Sequence, residues 1–222
     1  HVVCRRQRQM CIRDSIQPEE LADYEFGWKY KSEKFYFGSN LYYMNYKNQL
    51  VLTGALDDVG TPIRENSGKS YRKGIELETM LKASNNFDIS TNISFSKNKN
   101  IDYKTNFNGE FTNWGDTDIS FSPNLISSIA FNYNPKKDLN ISLLNKFVGD
   151  QYMSNTESVV SKLNSYSTTD LNFIYSFKKS KYFNEIIFTA MLNNIFNKEY
   201  VSNGYYYTYD CLLYTSDAAD DI

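Results

Sequence analysis

The 222-residue sequence is poor in the residues that build disulfides, metal sites and stiff loops: it contains three cysteines, one histidine and four prolines. Cys4, Cys11 and Cys211 all lie near the ends, as does His1. The stretch between Gln17 and Asp210 therefore has no thiol for a disulfide or zinc site. It also lacks the imidazole that usually serves as general base and metal ligand near neutral pH. Catalysis by Ser/His or Cys/His pairs is unsupported, so no enzyme is expected. Charge of one sign is missing too, since 24 basic residues face 26 acidic ones and leave a net charge of -2. Without a basic excess, nucleic acid is not an expected partner. No apolar run approaches the roughly 20 residues of a membrane helix.

The ends differ from the middle in a way that has a coding explanation. Take Arg5 to Asp14 as the codons CGT CGG CAG CGT CAG ATG TGT ATA AGA GAC. The opposite strand, shifted by one base, then encodes Cys211 to Asp220, and TGT for Cys4 with GTA for Val3 continues the match to Asp221 and Ile222. Such DNA resembles a sequencing-library adapter. Residues 1–15 and 211–222 are accordingly expected to be foreign to the fold, and 16–210 to be the protein proper. The flanks carry Arg5, Arg6, Arg8 and Arg13 against Asp14, Asp217, Asp220 and Asp221, so removing them leaves the net charge unchanged.

What the sequence does have is aromatic side chains: 19 Tyr and 15 Phe in a chain whose mean hydropathy is -0.55. A membrane β-barrel reconciles these properties, because its strands hold one face in lipid and the other in water. Strict alternation supports it. Phe87, Ile89, Thr91, Ile93 and Phe95 alternate with Asp88, Ser90, Asn92, Ser94 and Ser96. Leu171, Phe173, Tyr175 and Phe177 repeat the pattern, as do Tyr24, Phe26, Trp28 and Tyr30. A period of two indicates strand. Further copies at Phe35 to Leu52, Tyr71 to Lys82, Leu125 to Tyr133, Leu139 to Val148 and Phe183 to Leu192 bring the total to about eight strands of membrane-spanning length.

Connections alternate in length. Short turns are expected at Lys31 to Lys34, Ser84 to Asn86, Asn134 to Asp138 and Lys178 to Lys181. Long polar loops are expected at Thr53 to Ser70, Asn98 to Ser122 and Gly149 to Ser167. Outer-membrane barrels have this asymmetry, with short turns in the periplasm and long loops outside. Tyr24, Trp28, Tyr30, Phe35, Phe131, Tyr133, Tyr175, Phe177 and Tyr182 cluster beside the short turns, where amphipathic rings suit a headgroup boundary. The expected fold is thus all-β, an antiparallel transmembrane barrel, with a soluble all-β adhesin as the competing reading.

Candidate sites follow from residue type. Tyr103, Phe111, Trp114 and Tyr152 in the long loops, with Tyr205 after the last strand, could stack on a ligand ring or sugar; they could equally pack the loops together. Glu76 and Glu78 are expected to face the lumen with Arg72 and Gly74, as solvated charge rather than an acid/base pair. Asp57, Asp58, Asp116 and Asp118 offer oxygen ligands without a calcium-loop spacing, so no metal and no cofactor are expected.

Three segments carry a family likeness: YYMNYKNQLVLTG (Tyr42 to Gly54), DVGTPIRENSGKSYRKGIELE (Asp58 to Glu78) and NNIFNKEYVSNGY (Asn193 to Tyr205). In wording and order they resemble the last part of the barrel of TonB-dependent receptors of Bacteroidota. The resemblance implies a larger barrel of roughly 22 strands around a plug domain. It implies an outer-membrane setting in contact with lipid, energy supplied by the TonB complex through an N-terminal plug region, and a surface lipoprotein as a further partner. The implied cargo is a large, scarce ligand: a siderophore, cobalamin or a glycan fragment. Plug, TonB box and terminal strand are absent from these 222 residues, so the expected form of this piece alone is an open, curved sheet. A porin or a barrel enzyme is the alternative among outer-membrane proteins.

Overall fold

The computed structural model describes residues 17–56, 61–107, 110–178 and 183–206, with the backbone alone described for 52–56, 62, 106, 107, 110, 111 and 178. The sequence ends 1–16 and 207–222, Tyr182, Asp57 and Asp58 lie outside the described residues.

The alternating segments form strands β1 (Glu20–Lys31), β2 (Phe35–Lys47), β5 (Lys69–Lys82), β6 (Phe87–Phe107), β8 (Leu125–Lys136), β9 (Leu139–Val148), β12 (Tyr166–Lys178) and β13 (Glu185–Leu192). Between them lie β3 (Leu50–Leu56), β4 (Pro62–Asn66), β7 (Glu110–Asp118), β10 (Gln151–Tyr152) and β11 (Lys162–Leu163). The main sheet has nine strands in the order β1-β2-β5-β6-β8-β9-β12-β13, with β7 added beside β6. Every strand pairing in it is antiparallel. The strands that follow one another in this order are joined by connections of alternating length, as the sequence implies.

The sheet is curved. Glu25 and Lys29 of β1, Asn40 of β2, Glu76 and Glu78 of β5, Asn92 and Ser94 of β6, Ser128 of β8 and Lys146 of β9 line one trough of about 980 Å³. In a flat sheet, five strand spacings of about 4.8 Å would place β1 and β9 some 24 Å apart. Sharing a trough requires the intervening strands to bend around it. Most residues lining the trough are polar or charged, with Leu77, Ile93, Ile126 and Leu144 among the rest, and Arg72 with Glu76 lines its continuation towards Asn98. Across its floor Tyr36 Oη donates to Glu78 Oε2 at 3.3 Å, and Asn132 Nδ2 donates to Asp88 Oδ2 at 2.8 Å.

The opposite, convex face collects most of the aromatic rings, because an antiparallel register keeps like parity on one side. Ring pairs run across it: Tyr24 with Tyr43, Tyr43 with Tyr71, Trp28 with Phe37, Phe87 with Phe131 and Phe173 with Phe188, at centroid separations of 5.6 to 6.5 Å. Phe26, Trp28, Ile186 and Phe188 are exposed there. A continuous exposed apolar face of this kind needs a non-aqueous neighbour.

Gly74 is placed by sterics. It pairs directly with Tyr42, whose ring covers it; a Cβ at position 74 would lie 2.7 Å from Tyr42 Oη and would also strike the carbonyl oxygen of Phe95. The tyrosine fills the space that the glycine leaves open.

The sheet does not close. β1 and β13 stand at its two ends, unpaired on their outer sides within the described residues, and all of β1 is exposed.

Two expectations are corrected. The segment Phe35 to Leu52 is not one strand: β2 stops at Lys47, and Asn48 turns the chain with φ 57, a conformation asparagine tolerates better than most residues. The long loops are also not irregular. β3 and β4 form a hairpin inside the first, while β6 continues through Phe107 and pairs with β7 inside the second. β3, β4 and β7 lack the strict alternation of the long strands, so the period of two does not mark them.

A candidate ligand platform built by the long connections

Burial is concentrated at the long-connection end of the sheet. Tyr103, Asn100, Ser70 and Ser161 are the largest fully enclosed side chains among the described residues, and all four belong to this layer. Three pieces build it: the β3–β4 hairpin, the β6–β7 hairpin, and the connection from β9 to β12 with its 3₁₀ turn at Val159–Ser161.

The β6–β7 hairpin is bent where Asp102 adopts φ 50 and the register shifts. Asp102 holds the bend by accepting from Lys104 Nζ at 2.6 Å and Asn113 Nδ2 at 2.8 Å; these bonds draw its carboxyl below the ordinary aspartate range. Its own backbone N–H donates to Asp116 Oδ1 at 3.1 Å. Beneath the bend, burial pushes the Tyr103 hydroxyl well above its ordinary value, with Glu65 adding to the effect, so the phenol stays neutral. Burial likewise raises Glu65.

The β9–β12 connection docks against this hairpin through side chains. Asn155, 2% exposed, accepts from the Ser120 N–H at 2.9 Å and from Asn100 Nδ2 at 3.3 Å. Glu157 Oε1 accepts from the Asp118 N–H and from Lys99 Nζ, the latter at 3.0 Å. Lys99 Nζ also lies 2.8 Å from Asp118 Oδ1 as an ion pair. Burial draws Lys99 down, but its two carboxylate partners outweigh that and leave it above the ordinary lysine value. At the far side of the connection, Lys162 pairs with Asp150 at 2.8 Å, and Asp150 Oδ1 accepts from the Ser165 N–H at 2.6 Å.

Of the five aromatics expected as ligand contacts, the four whose side chains are described differ widely in exposure. Tyr103 is 1% exposed and packs the layer from within. Trp114 stands on β7, 45% exposed, with Nε1 donating to Thr105 Oγ1 at 2.9 Å. Tyr152 is half-buried in β10, opposite Lys162, and its carbonyl accepts from the Phe121 N–H at 2.8 Å. Phe111 has its backbone in β7, paired with Asn106. Tyr205 is 92% exposed in the stretch after β13, which returns to the layer: Tyr200 stacks on Tyr166 at 4.3 Å, and Gly204 lies against Met153. The polar groups that join the pieces, Lys99, Asn100, Asn155 and Glu157, gave no signal in the sequence. Their partners lie 55 and 58 residues away, and no local pattern marks such pairs.

Among the described residues no group of three or more His, Cys, Asp or Glu could hold a metal. Asp116 and Asp118 already face an N–H and an ammonium group.

A curved, open, antiparallel sheet with aromatics on its convex face, a polar trough and a built-up layer at one end defines a segment of a large β-barrel wall. Solved structures share it. The chain superimposes on the copper transporter OprC with TM-score 0.64 at 17% identity, covering 85% of this chain and 27% of that one. It matches the siderophore receptor PiuA from Acinetobacter baumannii with TM-score 0.64 at 18% identity, covering 83% and 25%. It matches the ferric yersiniabactin uptake receptor FyuA from Yersinia pestis with TM-score 0.60 at 17% identity, covering 84% and 27%. The chain thus spans about a quarter of the length of these receptors. No curated protein matches it by sequence. Residues 13–195 match the family described as TonB dependent receptor-like, beta-barrel, and the chain belongs to that family.

Proposed function

We propose that residues 16–210 are the C-terminal part of the barrel wall of an outer-membrane, TonB-dependent transporter that imports a large, scarce ligand. Family membership supports this reading, and the single structural observation that carries it is the division of the sheet into an aromatic convex face and a polar trough. An apolar outer band with a hydrated interior is what a bilayer-spanning barrel requires. The short turns then face the periplasm and the long-connection layer faces outward, where a ligand arrives.

In this reading Trp114, Tyr152, Tyr205 and Phe111 offer stacking surface from the outer layer, and Tyr103 supports them from beneath. Siderophore, cobalamin and glycan fragment are the ligand classes in view; the solved relatives named for copper and siderophores favour the metal-bearing ones. A TonB complex is the energy-supplying partner, acting through a plug upstream of these residues, and a surface lipoprotein is a further candidate partner.

The test uses the complete receptor, recovered from its full gene. Cells carrying it should accumulate one of ferric enterobactin, cobalamin or labelled oligosaccharides, and uptake should vanish when TonB is deleted. Uptake that is non-saturable and indifferent to TonB would instead assign a passive pore, and a gene without an upstream plug would do the same.

A further inference from the structure

We infer that the β9–β12 connection and the β6–β7 hairpin form one pre-assembled platform, locked by Asn155, Glu157 and Lys99. On the transporter reading above, these three are positioning residues for the ligand-contact aromatics. The platform is fixed before ligand arrives and does not swing as a lid.

The argument begins at the end of β7. Its ladder with β6 finishes where Lys99 pairs with Asp118 and the Ile119 N–H donates to the Asn98 carbonyl. Beyond that point the Asp118 and Ser120 N–H groups bond to side chains from another loop. Glu157 accepts from the first and Asn155 from the second, much as capping side chains satisfy the free amides of a helix end. Undocking the β9–β12 connection would forfeit both bonds together, one of them to a charged acceptor.

Three further observations show that the docked position is built in. Asn155 is almost fully enclosed and also receives Asn100 Nδ2, from a strand of the barrel wall. Glu157 is held with φ 51, a conformation that costs a residue with a Cβ and persists where its surroundings over-determine it. Lys99 bridges Glu157 and Asp118, so the ammonium group sits between one carboxylate from each loop. The backbone adds a fourth tie, from the Phe121 N–H to the Tyr152 carbonyl at 2.8 Å.

The consequence concerns the two aromatics the platform carries. Trp114 belongs to β7 and Tyr152 to β10, one in each of the two locked pieces. With the two loops fixed to one another, a ligand that touches both does not have to order them first, and that ordering cost is removed from its binding.

Hydrogen exchange on the complete receptor without ligand tests the lock directly. In the wild type the Asp118 and Ser120 amides should be protected. Glu157→Ala should lower protection at Asp118, and Asn155→Ala at Ser120, each by about tenfold, the loss expected when one such bond goes. Glu157→Gln keeps an oxygen acceptor and should restore most of the protection at Asp118. Wild-type amides that exchange as fast as an open loop would overturn the lock even if no variant folded, as would unchanged protection in Glu157→Ala. Uptake of ferric enterobactin, cobalamin and oligosaccharide by the same cells reads the transporter proposal separately, because ligand-free exchange does not depend on it.

Discussion

Gly74 and Tyr42 show how one position can be fixed by its cross-strand neighbour. A methyl group at 74 would meet the Tyr42 ring and the backbone of β6, whereas at Gly27 the nearest atoms lie 3.7 and 3.8 Å away, ordinary contact. Gly74→Ala is therefore expected to destabilise the intact receptor by about 1–3 kcal/mol, the usual cost of overpacking. Gly27→Ala should change little, and the heat-modifiability temperatures of the two variants would separate them. Ile93 and Asn92 make a second contrast. Ile93 shares strand parity with Phe87, whose ring pairs with Phe131 on the convex face, whereas Asn92 pairs with Glu78, which accepts from Tyr36 in the trough. A charge on a lipid face costs about 2–4 kcal/mol at mid-depth, so Ile93→Lys should reduce the amount of receptor inserted while Asn92→Lys leaves it near normal. Equal insertion would refute the assignment of faces. These side-chain directions were legible in the sequence, because strand parity alone sets them. The burial of Tyr103 was not, since an aromatic in a polar loop reads the same whether it meets ligand or protein.

The wall strands and the loop hairpins differ in how much of them the sequence could reveal. Phe87 to Ser96 alternates between the convex face and the trough, and that contrast is written into every second residue. β3, β4 and β7 carry no such contrast, so nothing in RENSGK or TNWGDTD separates a hairpin from a coil. Their existence depends on partners: β7 on the upper half of β6, and the β9–β12 connection on Asn100 and Lys99. At this scale acid should act on the β10–β11 closure, as it should on the Asp102 bend. Asp150 is held below the ordinary carboxylate range by Lys162 and the Ser165 N–H, and Lys162 is held above the ordinary lysine range by Asp150. A lowered carboxylate contributes stability above its unfolded value and loses it as pH falls through the folded one. A raised lysine loses its contribution only as pH climbs past its own folded value. The β10–β11 closure should thus be constant from about pH 5 to 9 and loosen below about pH 4. Limited proteolysis of the intact receptor across that range would show new cleavage near Asp150 at the acid end, and Asp150→Asn should already show it at neutral pH.

For the whole molecule, the two free edges decide what this piece can do. In a bilayer, unpaired backbone N–H and C=O groups along β1 and β13 cost several kcal/mol apiece, so an open sheet does not span it. Residues 16–210 reconstituted alone in vesicles are expected to aggregate, without heat-modifiable migration or protease resistance. A closed, protected barrel from that piece would contradict the reading of these strands as part of a wider wall. Against those edges, the length of β6 has its own outcome. Its register with β8 ends at Phe95, yet the strand continues to Phe107 with β7 beside it. The nine residues from Lys99 to Phe107 would rise up to about 30 Å at strand spacing, less whatever the bend at Asp102 takes away. If Phe95 lies near the membrane surface, the receptor carries a ridge comparable in height to the bilayer's own apolar thickness. The outer face of the cell would then present relief rather than a flush opening, and the β6–β7 ridge would stand open to an antibody, a phage tail or a scanning tip.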